Sequence, residues 1–305
     1  MLHMFFGSLV MAATLRLMIP ILFVAIGGCF GHKAGILNIG LECFMAFAAF
    51  FSMYGSYLTM QPWIGVVFGI LSGVVCACIF AVFVIYFQSN AIVVGIALNL
   101  AAWGGTTFLL DSIFHTRGVF IDARIISFKP FSIPYISKIP YIGEIFGKQN
   151  ILIYLALMLL IIAQWCMYKT PFGLRLRGVG IKPEASRTVG VNVTAYKWIA
   201  TIISGIFCGL GGAYLAIGGS SLFSENMTAG KGFLALAAIM IGDGNPFAVF
   251  LACLLFGYTS ALSVTLQSVG LPSQIVLSVP YLITIFVLFV NYIYEKYRNV
   301  VRRRL

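Results

Sequence analysis

Residues Pro62–Phe87 read PWIGVVFGILSGVVCACIFAVFVIYF, without one Asp, Glu, Lys, Arg or His. Roughly 20 such residues cross about 30 Å of hydrocarbon as a helix. Outward from this stretch, residues 90–110, 150–168, 246–267 and 274–294 repeat the pattern. Outer-membrane strands of about ten alternating residues would not produce such runs. The whole chain is 61% hydrophobic and 9% charged. A soluble domain carries about 25% charged residues. With so little polar surface available, most of this chain is solvated by lipid. The expected fold is therefore all-α: a polytopic transmembrane bundle forming a single domain over residues 1–305.

Proline, glycine and charge punctuate the apolar runs. Helices are expected at about 5–30, 35–59, 62–87, 90–110, 150–168, 197–217, 229–242, 246–267 and 274–294. That makes about nine spans, with eight to ten compatible; the seventh is short enough to be a re-entrant half helix instead. The run from Phe5 to Phe30 exceeds a signal-peptide core and reads as a retained first helix. Cys29, Cys43, Cys76, Cys78, Cys166, Cys208 and Cys253 all lie in or beside apolar runs and read as small packing residues. Cys76 and Cys78 fall on different helix faces and make no zinc clamp. His3, His32 and His115 are scattered. Neither a metal site nor a cofactor is expected.

The net charge of +11 is unevenly placed: eleven of the 19 Lys and Arg residues fall in 169–197 and 296–304. That is the positive-inside pattern of cytoplasmic loops. No basic patch is interleaved with exposed aromatics, which argues against nucleic acid. Nine spans place the two ends on opposite sides. With Arg302, Arg303 and Arg304 inside, the N-terminus is outside and 169–197, with its six basic residues, is inside. The loop 111–149 then falls outside, although it carries five basic residues against three acidic. Its aromatics and prolines, including Phe128, Pro130, Phe131, Pro134 and Tyr135, suit an ordered external cap.

The inner stretch Thr170–Val193 reads TPFGLRLRGVGIKPEASRTVGVNV. Pro183 suits a first helical turn and Glu184 the positive end of its dipole. Gly190 suits a C-cap needing a left-handed backbone. By these signals alone, the segment is a short surface helix whose charges set topology.

Polar groups at membrane depth are the other notable residues. Asn38 and Glu42, four apart, share a helix face, and Asn99 lies within another span. Intramembrane acids usually face a cavity or a partner. The three residues therefore line a translocation path, with a helix break near Gly40, or else make structural contacts between helices. Arg16 is one available partner for Glu42. Gly205, Gly209 and Ala213, at four-residue spacing, read as a helix-packing face. The glycine-rich run around them lacks the strand–turn–helix context and Lys-Ser/Thr ending of a phosphate loop.

The inner stretch also carries a resemblance. Glu184-Ala185-Ser186 followed by Gly190 resembles the EAA-type signature of ATP-binding-cassette importer permeases, with Ser186 in place of the second alanine. Ala34–Glu42 (AGILNIGLE) is similar to a segment of the branched-chain amino acid and sugar permease superfamily. So are Asn90–Asn99, Ser204–Tyr214, Asn226–Ala238 and Pro280-Tyr281, and two of these resemble the nucleoside-importing branch. The departures are Cys43 for the usual glycine, His32-Lys33 for an acidic-basic pair, and Asp243 in a turn that is often basic.

The resemblance implies a bacterial inner-membrane permease, not an enzyme, in which Pro183, Glu184, Ala185, Ser186 and Gly190 form the helix that docks on the ATPase. It implies a second permease subunit, a cytoplasmic ATPase and an external substrate-binding lipoprotein as partners. Nucleosides are the expected cargo, purine nucleosides by analogy, with riboflavin and simple sugars as alternatives. No Walker A sequence occurs in the chain, so ATP hydrolysis falls to another subunit. An ion-coupled transporter would leave the Glu184–Gly190 segment without a role. An intramembrane enzyme would need a Ser-His pair, an Asp pair or a His-Glu metal motif within the spans, and the sequence has none.

Overall fold

A backbone in hydrocarbon must pair its own N–H and C=O groups, so each uncharged run folds as a helix. The computed structural model describes residues 7–132 and 142–267, with isolated positions at 278, 282 and 289. The helices are α1 (Ser8–Lys33), α2 (Leu41–Thr59), α3 (Pro62–Ala81), α4 (Ala91–Phe114) and α5 (Ile151–Lys169). They continue with α6 (Pro171–Ile181), α7 (Pro183–Thr188), α8 (Val193–Ala213), α9 (Lys231–Ile241) and α10 (Pro246–Gln267). π turns prolong α3 through Tyr86 and α8 through Gly218. Among the described residues, seven helices are long and apolar enough to cross a membrane; α9, with 11 residues, is not. Apart from those isolated positions, the expected span 274–294 lies outside the described residues, as do the C-terminal arginines.

Side-chain caps set several of the boundaries. Asn90, Asn150, Thr170 and Asn192 each accept a hydrogen bond from a backbone N–H in the first turn that follows. α1 and α4 run three and four residues past their expected ends, to Lys33 and Phe114, and two starts also differ. α2 starts at Leu41 rather than 35, because Ala34–Gly40 turns back on itself under Gly35, at φ +77°. α8 starts at Val193 rather than 197, because Asn192 supplies the cap.

α8 is central and packs on α1, α2 and α3. Its small residues set the spacing. A Cβ on Gly209 would lie 2.9 Å from the Gly69 carbonyl of α3, and one on Gly205 2.6 Å from that of Gly73. On another face, a Cβ on Gly212 would sit 2.5 Å from the Met45 carbonyl of α2. Ala213 is fully buried.

The bundle has two distinct ends. At one, β1 (Val119–Ile121) pairs antiparallel with β4 (Leu222–Ser224), and β2 (Phe131–Ser132) with β3 (Lys148–Gln149). Trp63 packs edge-on against Phe128 there, and Ser56 exchanges hydrogen bonds with the Ile126 backbone. At the other end lie α6, α7 and the turn at Asp243, which is tied to Lys33. The aromatic loop and the basic segment therefore occupy opposite ends.

This arrangement decides between the two readings of 229–242, a span or a re-entrant half helix. β4 belongs to the first end and Asp243 to the second, so residues 222–243 traverse the bundle. The crossing is irregular as far as Gly230 and helical from Lys231, so α9 is half of a broken span and not a re-entrant hairpin.

Candidate functional site: a broken span and an exposed helix

Asn38, Glu42 and Asn99 come together where the α1–α2 break, α4 and α9 meet. Glu42 is wholly buried, and Asn99 and Asn38 are 4% and 6% exposed. An isolated buried carboxylate is prohibitively costly unless paired or hydrogen-bonded. Glu42 Oε1 accepts from the Gly230 N–H at 2.9 Å, and Oε2 from the Gly232 N–H at 2.6 Å. Those donors are free backbone groups at the start of α9, where the helix dipole is also positive. The carboxylate thus caps the half helix across the bundle.

The two asparagines clamp the break itself. Asn99 Nδ2 donates to the Ile39 carbonyl at 3.1 Å, while its Oδ1 accepts from the Cys43 N–H at 2.9 Å. Asn38 Oδ1 accepts from the Gly40 N–H at 2.9 Å, and its Nδ2 has no partner among the described residues. α4 lies directly on this turn: a Cβ on Gly95 would be 2.8 Å from Gly40 N. Glu42 and Asn99 therefore act on backbone belonging to other segments, whereas Asn38 bonds within its own turn.

The pairing of Glu42 with Arg16 does not occur. Arg16 Nε donates to Gln149 Oε1 at 3.2 Å, at the opposite end of the bundle. The partners of Glu42 are amides, and no search for opposite charge could find them. Their signal was Gly230-Lys-Gly232 immediately before an apolar run, the mark of a helix start.

The second feature is α7, with α6 beneath it. Pro183 occupies its first turn and Glu184 follows. Its C-terminus closes with the Gly190 N–H donating to Arg187 O at 3.0 Å and the Val191 N–H to Ser186 O at 3.0 Å. That pair of bonds is a Schellman motif, and it requires the left-handed backbone that Gly190 provides at φ +82°. Glu184 and Ala185 are exposed, whereas Ser186 is buried, 3.4 Å from the position a Cβ on Gly178 of α6 would take. The sequence signals foresaw one short helix; the structure has two, because Thr170 and Pro171 start α6 twelve residues earlier than Pro183 starts α7.

α6 in turn rests on the end of α1. A Cβ on Gly35 would lie 3.3 Å from Gly180 Cα. The exposed helix, α6, the Ala34–Gly40 turn and the Glu42 cluster therefore form one continuous packed series. Beside it, two departures noted in the sequence meet. Asp243 accepts from Lys33 Nζ at 3.2 Å and faces His32 Nε2 at 3.4 Å.

A membrane bundle with a broken span, a polar clamp at the break and an exposed capped helix has the architecture of a transport permease. Comparison with known proteins agrees. The family model "Branched-chain amino acid transport system / permease component" matches residues 10–288, and the chain belongs to that family. It is 38% identical to the nucleoside ABC transporter permease NupC of Lactococcus lactis over 88% of this chain and 87% of the relative. It is 34% identical to the guanosine ABC transporter permease NupQ of Bacillus subtilis, over 92% and 91%. NupB, a second nucleoside ABC transporter permease of Lactococcus lactis, matches at 25% over 92% of this chain and 79% of that one. Among solved structures, an ABC transporter in an inward-facing conformation superposes with a TM-score of 0.51 at 13% identity, covering 92% of this chain and 84% of that one. That likeness concerns the fold.

Proposed function

We propose that this chain is the membrane permease subunit of an ATP-driven importer of purine nucleosides. Likeness to NupC and NupQ over most of the chain supports the cargo. Matches to both NupC and NupB of one organism support a paired arrangement with a second permease. A cytoplasmic ATPase and an external binding lipoprotein complete the system. The basic segment 169–197 and the C-terminus are cytoplasmic, and the chain itself does no covalent chemistry.

The observation that carries the mechanism is α7: a helix closed by Gly190, exposed along Glu184 and Ala185, and packed through α6 onto the α1–α2 break. ATP closes the ATPase, which pushes on α7. The push reaches the Ala34–Gly40 turn, which Asn38 and Asn99 clamp, and through Glu42 the start of α9 in the broken span. Differential affinity of ATP for the two states of the assembly drives the switch. The broken span is the element suited to change, since its irregular half holds few of the hydrogen bonds that stiffen a continuous helix.

The test is uptake of radiolabelled guanosine by cells carrying the assembled importer, with Gly190→Val in this chain. Loss of uptake together with loss of ATPase co-purification is the expected result. Undiminished uptake and association in that variant would overturn the reading of α7. Normal ATPase association with no guanosine transport by the unmodified chain would overturn the cargo.

A further inference from the structure

Between the exposed helix and the α1–α2 break lies a cavity of about 330 Å³. Its wall is formed by the turn at Gly35, the end of α3 at Val84 and Ile85 with Gln88 just beyond, the first residue of α4 at Ala91, and the start of α8 at Val193. Arg187 and Lys197 both reach it, and no Asp or Glu lines it. Neither cation forms an ion pair among the described residues. The volume is that of roughly ten waters, room for a phosphate group with a small substituent. Two cations without an ion-pair partner, and no acid, give the cavity a positive lining.

We infer that this cavity binds the phosphate of an anionic phospholipid headgroup. Its position supports a lipid as the source. It lies where α3 ends and α4 begins, and Tyr86, Phe87, Ile92 and Val93, next in the chain to its lining residues, are large and exposed. Tyrosine is characteristic of the headgroup level. Acyl chains would lie on that apolar surface while the phosphate reached Arg187 and Lys197. Basic pockets between spans on the cytoplasmic side suit anionic headgroups for this electrostatic reason. Arg187 belongs to α7 and Gly35 to the break, so a bound headgroup would bridge the element that receives force and the element that moves. The binding inference needs only a membrane-embedded chain and holds whatever the cargo is.

Native mass spectrometry of the assembled importer, titrated with phosphatidylglycerol against phosphatidylcholine, tests it. The unmodified complex should retain phosphatidylglycerol in preference to phosphatidylcholine. Each cation near the surface contributes about a fivefold factor, so Arg187→Gln with Lys197→Gln should weaken retention about 25-fold. The charge-preserving pair Arg187→Lys with Lys197→Arg should keep most of it, which separates a lost anion contact from a misfolded loop. If millimolar inorganic phosphate displaces phosphatidylglycerol, the site stands as a phosphate site but the lipid is not its dedicated ligand. Equal retention of both lipids by the unmodified complex, or loss in the charge-preserving pair as well, overturns the inference. Guanosine transport is not the readout, so failure here leaves the cargo reading untouched.

Discussion

Glu42 shows why the identity of a buried acid's partner matters more than its presence. Two backbone amides at the start of α9 donate to it, one to each carboxylate oxygen. Glu42→Gln keeps one acceptor, loses the charge that complements the helix end, and turns an NH2 group towards an N–H donor. The expected cost is about 3 kcal/mol, read as a drop in thermal midpoint of the purified protein. A midpoint unchanged by the substitution would mean that the carboxylate does not hold α9. Gly190 poses a different problem. A Cβ there meets nothing within 4 Å, so any penalty is purely one of backbone conformation. Gly190→Val should cost about 1–2 kcal/mol locally, and Gly190→Asn distinctly less, because asparagine tolerates the left-handed region. Hydrogen exchange at the Val191 amide would report it. Glu184, Gly190 and the polar trio could be picked out from residue type and spacing. The amide partners of Glu42 could not, because every residue has an amide and only the fold decides which lie opposite.

At the scale of elements, the α3–α8 contact depends on facing small residues. Gly69 and Gly73 lie against Gly209 and Gly205, and the Ala77 methyl of α3 also comes within 2.6 Å of where a Cβ on Gly205 would stand. A methyl on Gly209 would fall 2.5 Å from Ile70 Cα, a backbone atom that cannot move aside alone. Gly209→Leu should therefore separate the helices and cost more than about 2 kcal/mol, in the range of overpacked cores. Gly104 of α4 meets nothing within 4 Å, and Gly104→Ala should stabilise by up to about 1 kcal/mol through helix propensity. Thermal unfolding of the two variants side by side checks both, and similar midpoints would refute the packing argument. The four-residue spacing on α8 was visible in the sequence. Which helix it faced was not, since α1 and α2 also offer close approaches.

Across the whole molecule, the two ends differ in what joins them. At the α6–α7 end, Asp243 links the turn before α10 to the end of α1. Burial of part of the group favours its neutral form, but the hydrogen bonds and charges of Lys33 and His32 outweigh that and hold the carboxyl below its usual range. A carboxyl lowered on folding contributes stability above its unfolded value, and the contribution fades as pH falls through the lowered one. Asp243 is largely exposed, so the tether is worth no more than about 1 kcal/mol. Asp243→Asn should lower the thermal midpoint slightly at neutral pH and in low salt, and the difference should begin to shrink below about pH 4 and vanish once pH is below the lowered value. A difference that persists in acid would exclude the ion pair as its origin.

The sequence by itself determined the membrane class, the helical spans and the unequal distribution of charge between its loops. Those follow from run length and charge, which act locally and need no knowledge of neighbours. It also marked the α7 signals, because caps and left-handed glycines act within a few residues. Only the tertiary structure decided that α9 is half of a broken crossing, that Glu42 caps it, and that β1 pairs with β4 across more than a hundred residues of chain. It likewise decided that His32, Lys33 and Asp243 form one cluster rather than two separate oddities. Those features depend on backbone groups and side chains distant in sequence, and such contacts leave no local periodicity to read.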